Sequence, residues 1–95
     1  MKTRTSKNIF RDLGFGPEEA ENLRIRSVLM ILLTEHIKHE SLTQTGAAES
    51  LGVTQPRISD LMRVKIDVFS IDTLIAMLAR IGLKTTIRVG KKKVA

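Results

Sequence analysis

The sequence predicts a small all-α domain of four to five helices followed by one short C-terminal β-strand. Three observations carry this expectation. Apolar residues recur at helical spacing in the stretches 17–39, 42–63 and 70–82. Glycine, proline or a capping residue bounds each stretch. After Gly82 the period changes to two, with Leu83, Thr85, Ile87 and Val89 alternating with Lys84, Thr86 and Arg88. At 95 residues the chain is one domain, near the lower limit for a self-sufficient core.

Residues 1–8 are polar and basic without periodicity and read as a loose arm. With the short apolar segment Ile9-Phe10-Arg11-Asp12-Leu13-Gly14-Phe15 they make an N-terminal arm of residues 1–16. Pro17, near the first helical position, and Glu18 and Glu19, at the positive end of the helix dipole, then open a first helix over 17–39. Its middle, Val28 to Leu33, is apolar nearly all round. Such a segment needs neighbours on more than one side, or a second subunit.

Residues 42–63 predict two helices joined at a tight turn. Ala47, Ala48 and Leu51 share one face of a short helix, and Gly52 follows at the position that needs a left-handed backbone. Val53 plugs the corner, Thr54 is a good N-cap, and Pro56 falls in the first turn of the next helix, where a missing N–H costs nothing. In that second helix Ile58, Leu61 and Met62 form the apolar stripe, which leaves Gln55, Arg57, Ser59, Asp60 and Arg63 facing outward or flanking. This is the layout of a helix-turn-helix that offers its second helix to a DNA groove.

A fourth helix is expected over 70–82, capped by Ser70, with a core face of Ile71, Leu74, Ile75, Leu78 and Ile81, and stopped by Gly82. The strand expected over 83–90 has no sheet to join within the chain. Pairing of two copies through Thr85, Ile87 and Val89 would satisfy both ladders and give a symmetric homodimer. Residues 91–95 read as a solvated basic tail.

Formal net charge is +6, and all of the excess lies after residue 53: residues 1–53 carry seven basic and seven acidic side chains, residues 54–95 nine and three. A polyanionic partner accounts for that asymmetry, because each neutralised phosphate releases condensed counterions. The absence of cysteine excludes disulfides, thiol catalysis and cysteine-ligated zinc, and suits a cytoplasmic location. The longest apolar run is far below the about 20 residues that span a bilayer, so no membrane association is expected. His36 and His39 lack a third ligand cluster, no nucleophile elbow or phosphate-binding glycine loop is present, and no cofactor is implied. The chain is not expected to be an enzyme.

From Asp12 to Val89 the sequence resembles the XRE-type (phage repressor-like, lambda repressor-like) helix-turn-helix family, and more narrowly its HigA-like antitoxin branch. The residues that carry the resemblance are Asp12-Leu13-Gly14-Phe15, Leu42-Thr43-Gln44, Gly52 through Leu61, Phe69-Ser70-Ile71-Asp72-Thr73-Leu74, and Leu83 through Val89. The resemblance implies that Gln44 touches a phosphate and Gln55 lies at the groove-facing tip of the recognition helix, with Arg57, Ser59 and Asp60 completing the base-reading surface. Thr43 and Thr54 join Gln44 on the phosphate side. Glutamine suits bidentate pairing with adenine, arginine pairs guanine or a phosphate, and aspartate accepts from cytosine N4. Asp60 would also repel phosphates, so it stands either over a base edge or paired to Arg57 or Arg63. Arg63 and Lys65, past the helix end, suit backbone clamping.

Two departures from the family pattern are visible. Many relatives place glycine just after the recognition helix, where this chain has Arg63-Val64-Lys65, so a wider turn toward Phe69 is expected. Gly46 lies inside the first helix of the motif, at up to ~1 kcal/mol relative to alanine. The combined expectation is a homodimeric regulator on a palindromic double-stranded DNA operator, its recognition helices about 34 Å apart. By resemblance it would be an autorepressing antitoxin of a RelE/HigB-like toxin, with the N-terminal arm and Ile9 to Phe15 as the toxin contact. A stand-alone repressor, a protein-interaction module and a nonspecific nucleic-acid-binding protein are the alternatives.

Overall fold

Nearly every element packs on one long helix. The computed structural model describes residues 8–91, in which α1 is Ile9–Asp12, α2 Pro17–His39, α3 Gln44–Leu51, α4 Gln55–Met62 and α5 Ile71–Arg80, with a 3₁₀ turn at Ile66–Val68 between α4 and α5. α2 contacts α1, α4, α5 and the 3₁₀ turn, while α3 packs against α4 and α5. Leu29, Met30, Leu33 and Ile37 of α2 meet Ala47, Ala48 and Leu51 of α3, Ile58 and Leu61 of α4, Phe69, and Leu74, Met77 and Leu78 of α5 in one core. The two alanines let α3 approach closely, and Val53 and Met62 pack half-buried at its edge.

The helix signals place α2, α3 and α4 where the spacing predicts them. α5 is shorter than expected: Ser70 Oγ accepts from the Thr73 N–H as its cap, but the helix ends at Arg80 rather than Gly82. Of its expected core face Leu74 and Leu78 are buried, Ile71, Ile75 and Ile81 are only half-buried, and Met77 takes the remaining buried position.

Two expectations are corrected. Residues 9–12 are not part of an arm but the one-turn helix α1, because Asn8 caps it and ties it down. The Asn8 Oδ1 accepts from the Phe10 N–H at 3.0 Å, and its Nδ2 donates to the Ala20 carbonyl of α2 at 3.1 Å. Residues 1–7 of the expected arm and 92–95 of the basic tail lie outside the described residues. The second correction concerns residues 83–90, which form no strand; no strand occurs among the described residues. A strand exists only through its ladder, and the single chain offers no neighbour for one. The alternation also fails to make a buried face, since Ile87 and Val89 are 75% and 89% exposed.

All five helices end in the same way. Each is followed by one residue with positive φ, namely Gly14, Ser41, Gly52, Val64 and Gly82. The next N–H in each case reaches back to a carbonyl five residues earlier: Phe15 to Phe10, Leu42 to Ile37, Val53 to Ala48, Lys65 to Asp60 and Leu83 to Leu78. This is the Schellman closure, which satisfies otherwise orphaned carbonyls. Glycine fits it without strain, whereas Val64, at φ 56, is a β-branched residue in the left-handed region. The glycine missing from the sequence after α4 is therefore replaced by strain, and the connection to Phe69 is widened by the 3₁₀ turn.

Candidate nucleic-acid interface

α3 and α4 cross at Gly52, whose φ of 73 turns the chain. A side chain there would also collide with Arg80, since an added Cβ would lie 2.6 Å from its Nε. Arg80 lies across the C-terminal end of α3, donating to the Glu49 carbonyl at 3.4 Å. A cation at that end complements the helix dipole. At the other end of α3, Thr43 Oγ1 accepts from the Gly46 N–H at 3.0 Å. A Cβ on Gly46 would approach that same hydroxyl to 3.3 Å, a tight contact that a small shift of the Thr43 side chain would relieve.

α4 buries Ile58 and Leu61 and turns its polar residues outward. Gln55 begins the helix, exposed, and its Nε2 donates to Thr45 Oγ1 of α3 at 3.0 Å. One amide proton is used there, which leaves the amide oxygen and the second proton for another partner. Ser59, one turn on, is half-buried on the same shoulder. Thr54 occupies the N-cap position as predicted, exposed, but its side chain makes no cap hydrogen bond. Thr43 and Gln44 are exposed at the start of α3, and Arg63 is exposed at the C-cap of α4.

The opposite shoulder is a charged cluster. Asp60 lies 3.8 Å from Arg57 Nη1 and 3.8 Å from Lys65 Nζ. Its carboxylate is thus paired on both sides, with Arg57 and Lys65 rather than with Arg63. Arg57 also sits with its guanidinium 5.8 Å from the ring centroid of Phe69, a cation–π contact that holds its face while leaving its edges free to donate. Lys65 is drawn toward Asp60 as well as available to solvent.

A family model described as a helix-turn-helix domain matches residues 9–90. The chain belongs to the helix-turn-helix domain family. Comparison with curated proteins finds no match. In this helix-turn-helix chain the residues expected to meet DNA collect on α3, α4 and the turn after α4. Thr85, Ile87 and Val89 stand elsewhere, along one wall of a groove floored by Ile25 and Leu29 of α2 and Ile71 and Ile75 of α5. No cluster of three metal-ligating side chains occurs among the described residues, and no described helix is long and apolar enough to cross a membrane.

Three residues that shape the helix-turn-helix surface escape sequence reasoning. Thr45 holds Gln55, and its only signal is a polar position in the first turn of α3. Phe69 underlies Arg57 from twelve residues away. Arg26 of α2 donates from Nη1 to the carbonyls of Ile66 and Phe69, at 3.0 and 3.2 Å, and so ties down the segment that follows α4.

Proposed function

We propose that the chain is a sequence-specific double-stranded DNA-binding regulator that acts as a homodimer on a palindromic operator. The observation that supports this best is the Gln55 amide, fixed at the exposed tip of α4 by Thr45 with a donor and an acceptor still free. A bidentate pair with adenine needs one of each. Ser59, Arg57 and the paired Asp60 extend the reading surface, with Asp60 orienting Arg57 and Lys65 rather than meeting the backbone alone. Thr43, Gln44, Thr54, Arg63 and Lys65 serve as phosphate contacts that set register. Selection of binding sites from a random duplex library tests the reading: enrichment of an inverted repeat supports it, and an unenriched pool rejects it.

In its finer form the regulator is an autorepressing antitoxin in the cytoplasm, with a RelE/HigB-like toxin as its second partner. The observation favouring a protein partner is the apolar surface of the N-terminal segment, where Ile9 and Leu13 are 60% and 66% exposed beside Phe15. The Phe10 and Phe15 rings meet edge to face with centroids 6.3 Å apart, which gives the segment a defined shape. Co-expression with the product of the adjacent gene, followed by loss of the complex in Leu13→Asp, tests this role independently of DNA.

A further inference from the structure

The apolar run of α2 is divided between two sides. Leu29, Met30 and Leu33 are buried in the core, whereas Val28, Ile31 and Leu32 are 46, 51 and 47% exposed on the opposite face. Their spacing, i, i+3 and i+4, makes a continuous stripe.

The charges around this stripe follow an order. On the same face Glu21 and Arg24 precede it, and Glu35 and Lys38 follow it. A two-fold axis centred between Leu29 and Met30 lays a second α2 antiparallel on the first. It sets Val28 against Ile31, Arg24 against Glu35 and Glu21 against Lys38. These three juxtapositions are apolar on apolar or opposite in charge, Leu32 falls against Ser27, and each pair occurs twice, as an isologous contact requires. The stripe is thus complementary to itself. Residues 83–91 are another exposed apolar segment, but they carry Lys84, Arg88 and Lys91 and no acid, so self-pairing there gathers like charge.

We infer that this face of α2 is the docking surface for a second copy of the chain, in an antiparallel helix-on-helix contact that does not use residues 83–90. The inference rests on the dimeric reading above and assigns its surface. Arg24 is held ready by Glu21, with Nη2 to Oε2 at 2.7 Å, at the rim of the stripe.

Sedimentation velocity of the full chain over a concentration series tests it, with circular dichroism to verify that each variant is folded. The wild type is expected to be a dimer. Ile31→Glu, which buries two uncompensated carboxylates, is expected to raise the dissociation constant by at least about a hundredfold. Arg24→Glu and Glu35→Arg are each expected to raise it by about tenfold, and the double charge swap to return it to within about threefold of wild type. A monomeric wild type, a dimer indifferent to Ile31→Glu, or a dimer lost only in Ile87→Glu would overturn the assignment. Binding of each variant to a single half-site, measured alongside, keeps the two readings separable: retained base preference in a monomer removes the interface and leaves the DNA reading standing.

Discussion

The side-chain amide of Gln55 donates to Thr45 Oγ1 at 3.0 Å, bridging α4 and α3 across the glycine turn. The bond is exposed, so its worth lies in aiming the amide rather than in stability. Gln55→Ala is expected to relax discrimination at one operator base pair by about 1–3 kcal/mol. Thr45→Val, which leaves the amide in place but unaimed, should lose part of that discrimination while changing thermal stability by less than about 0.5 kcal/mol. Competition binding against operators mutated one position at a time reads both. Unchanged base preference in Gln55→Ala would reject the role.

Gly52 and Val64 share a left-handed backbone, at φ 73 and 56, and should respond to substitution with opposite signs. Val64→Gly removes a β-branched side chain from a conformation that costs about 1–2 kcal/mol and is expected to stabilise the chain by about 1 kcal/mol. Gly52→Ala imposes that cost and pushes Arg80 off the end of α3, so a loss of at least about 1 kcal/mol is expected. Urea denaturation of both variants checks the pair, and destabilisation by Val64→Gly would show that its backbone is not strained.

Arg26 holds the segment that follows α4 through the Ile66 and Phe69 carbonyls. Replacing it with methionine leaves the Ile66 and Phe69 carbonyls without their donor and should cost about 1–3 kcal/mol. Because Phe69 carries Arg57, the same variant should weaken operator binding beyond what Arg57→Ala alone accounts for if the segment shifts. Denaturation and operator titration on one preparation separate the two effects.

Arg63 and Lys65 should behave as phosphate contacts. Alanine at either position is expected to weaken operator and random DNA alike and to reduce the slope of log affinity against log salt by about 1. A loss confined to particular base pairs would make them readers instead. Lys65→Ala also releases Asp60 from one of its two cations, so its effect should exceed that of Arg63→Ala if the Asp60 cluster matters.

What the sequence made legible is local. Pro17 with Glu18 and Glu19, Gly52, Thr54 with Pro56, and Ser70 each act within one helical turn, and the helices they predict form. α1 was missed because a four-residue helix has no periodicity to read and is stabilised from outside by the Asn8 contact to Ala20. The strand over 83–90 failed because a period of two describes a surface and cannot supply the neighbour a ladder needs. In the interface, the exposure of Gln55, Arg57 and Arg63 follows from helical spacing alone. The contacts that aim those side chains, Thr45 to Gln55, Phe69 to Arg57 and Arg26 to Phe69, join separate elements and carry no local signature.

Fluorescence anisotropy of the chain binding its own promoter and a random duplex, over a salt series, bears most directly on sequence-specific DNA recognition. Both affinities should fall as salt rises, with the promoter bound at least about a thousandfold more tightly at physiological salt. Equal affinity for the two duplexes at every salt concentration would contradict it.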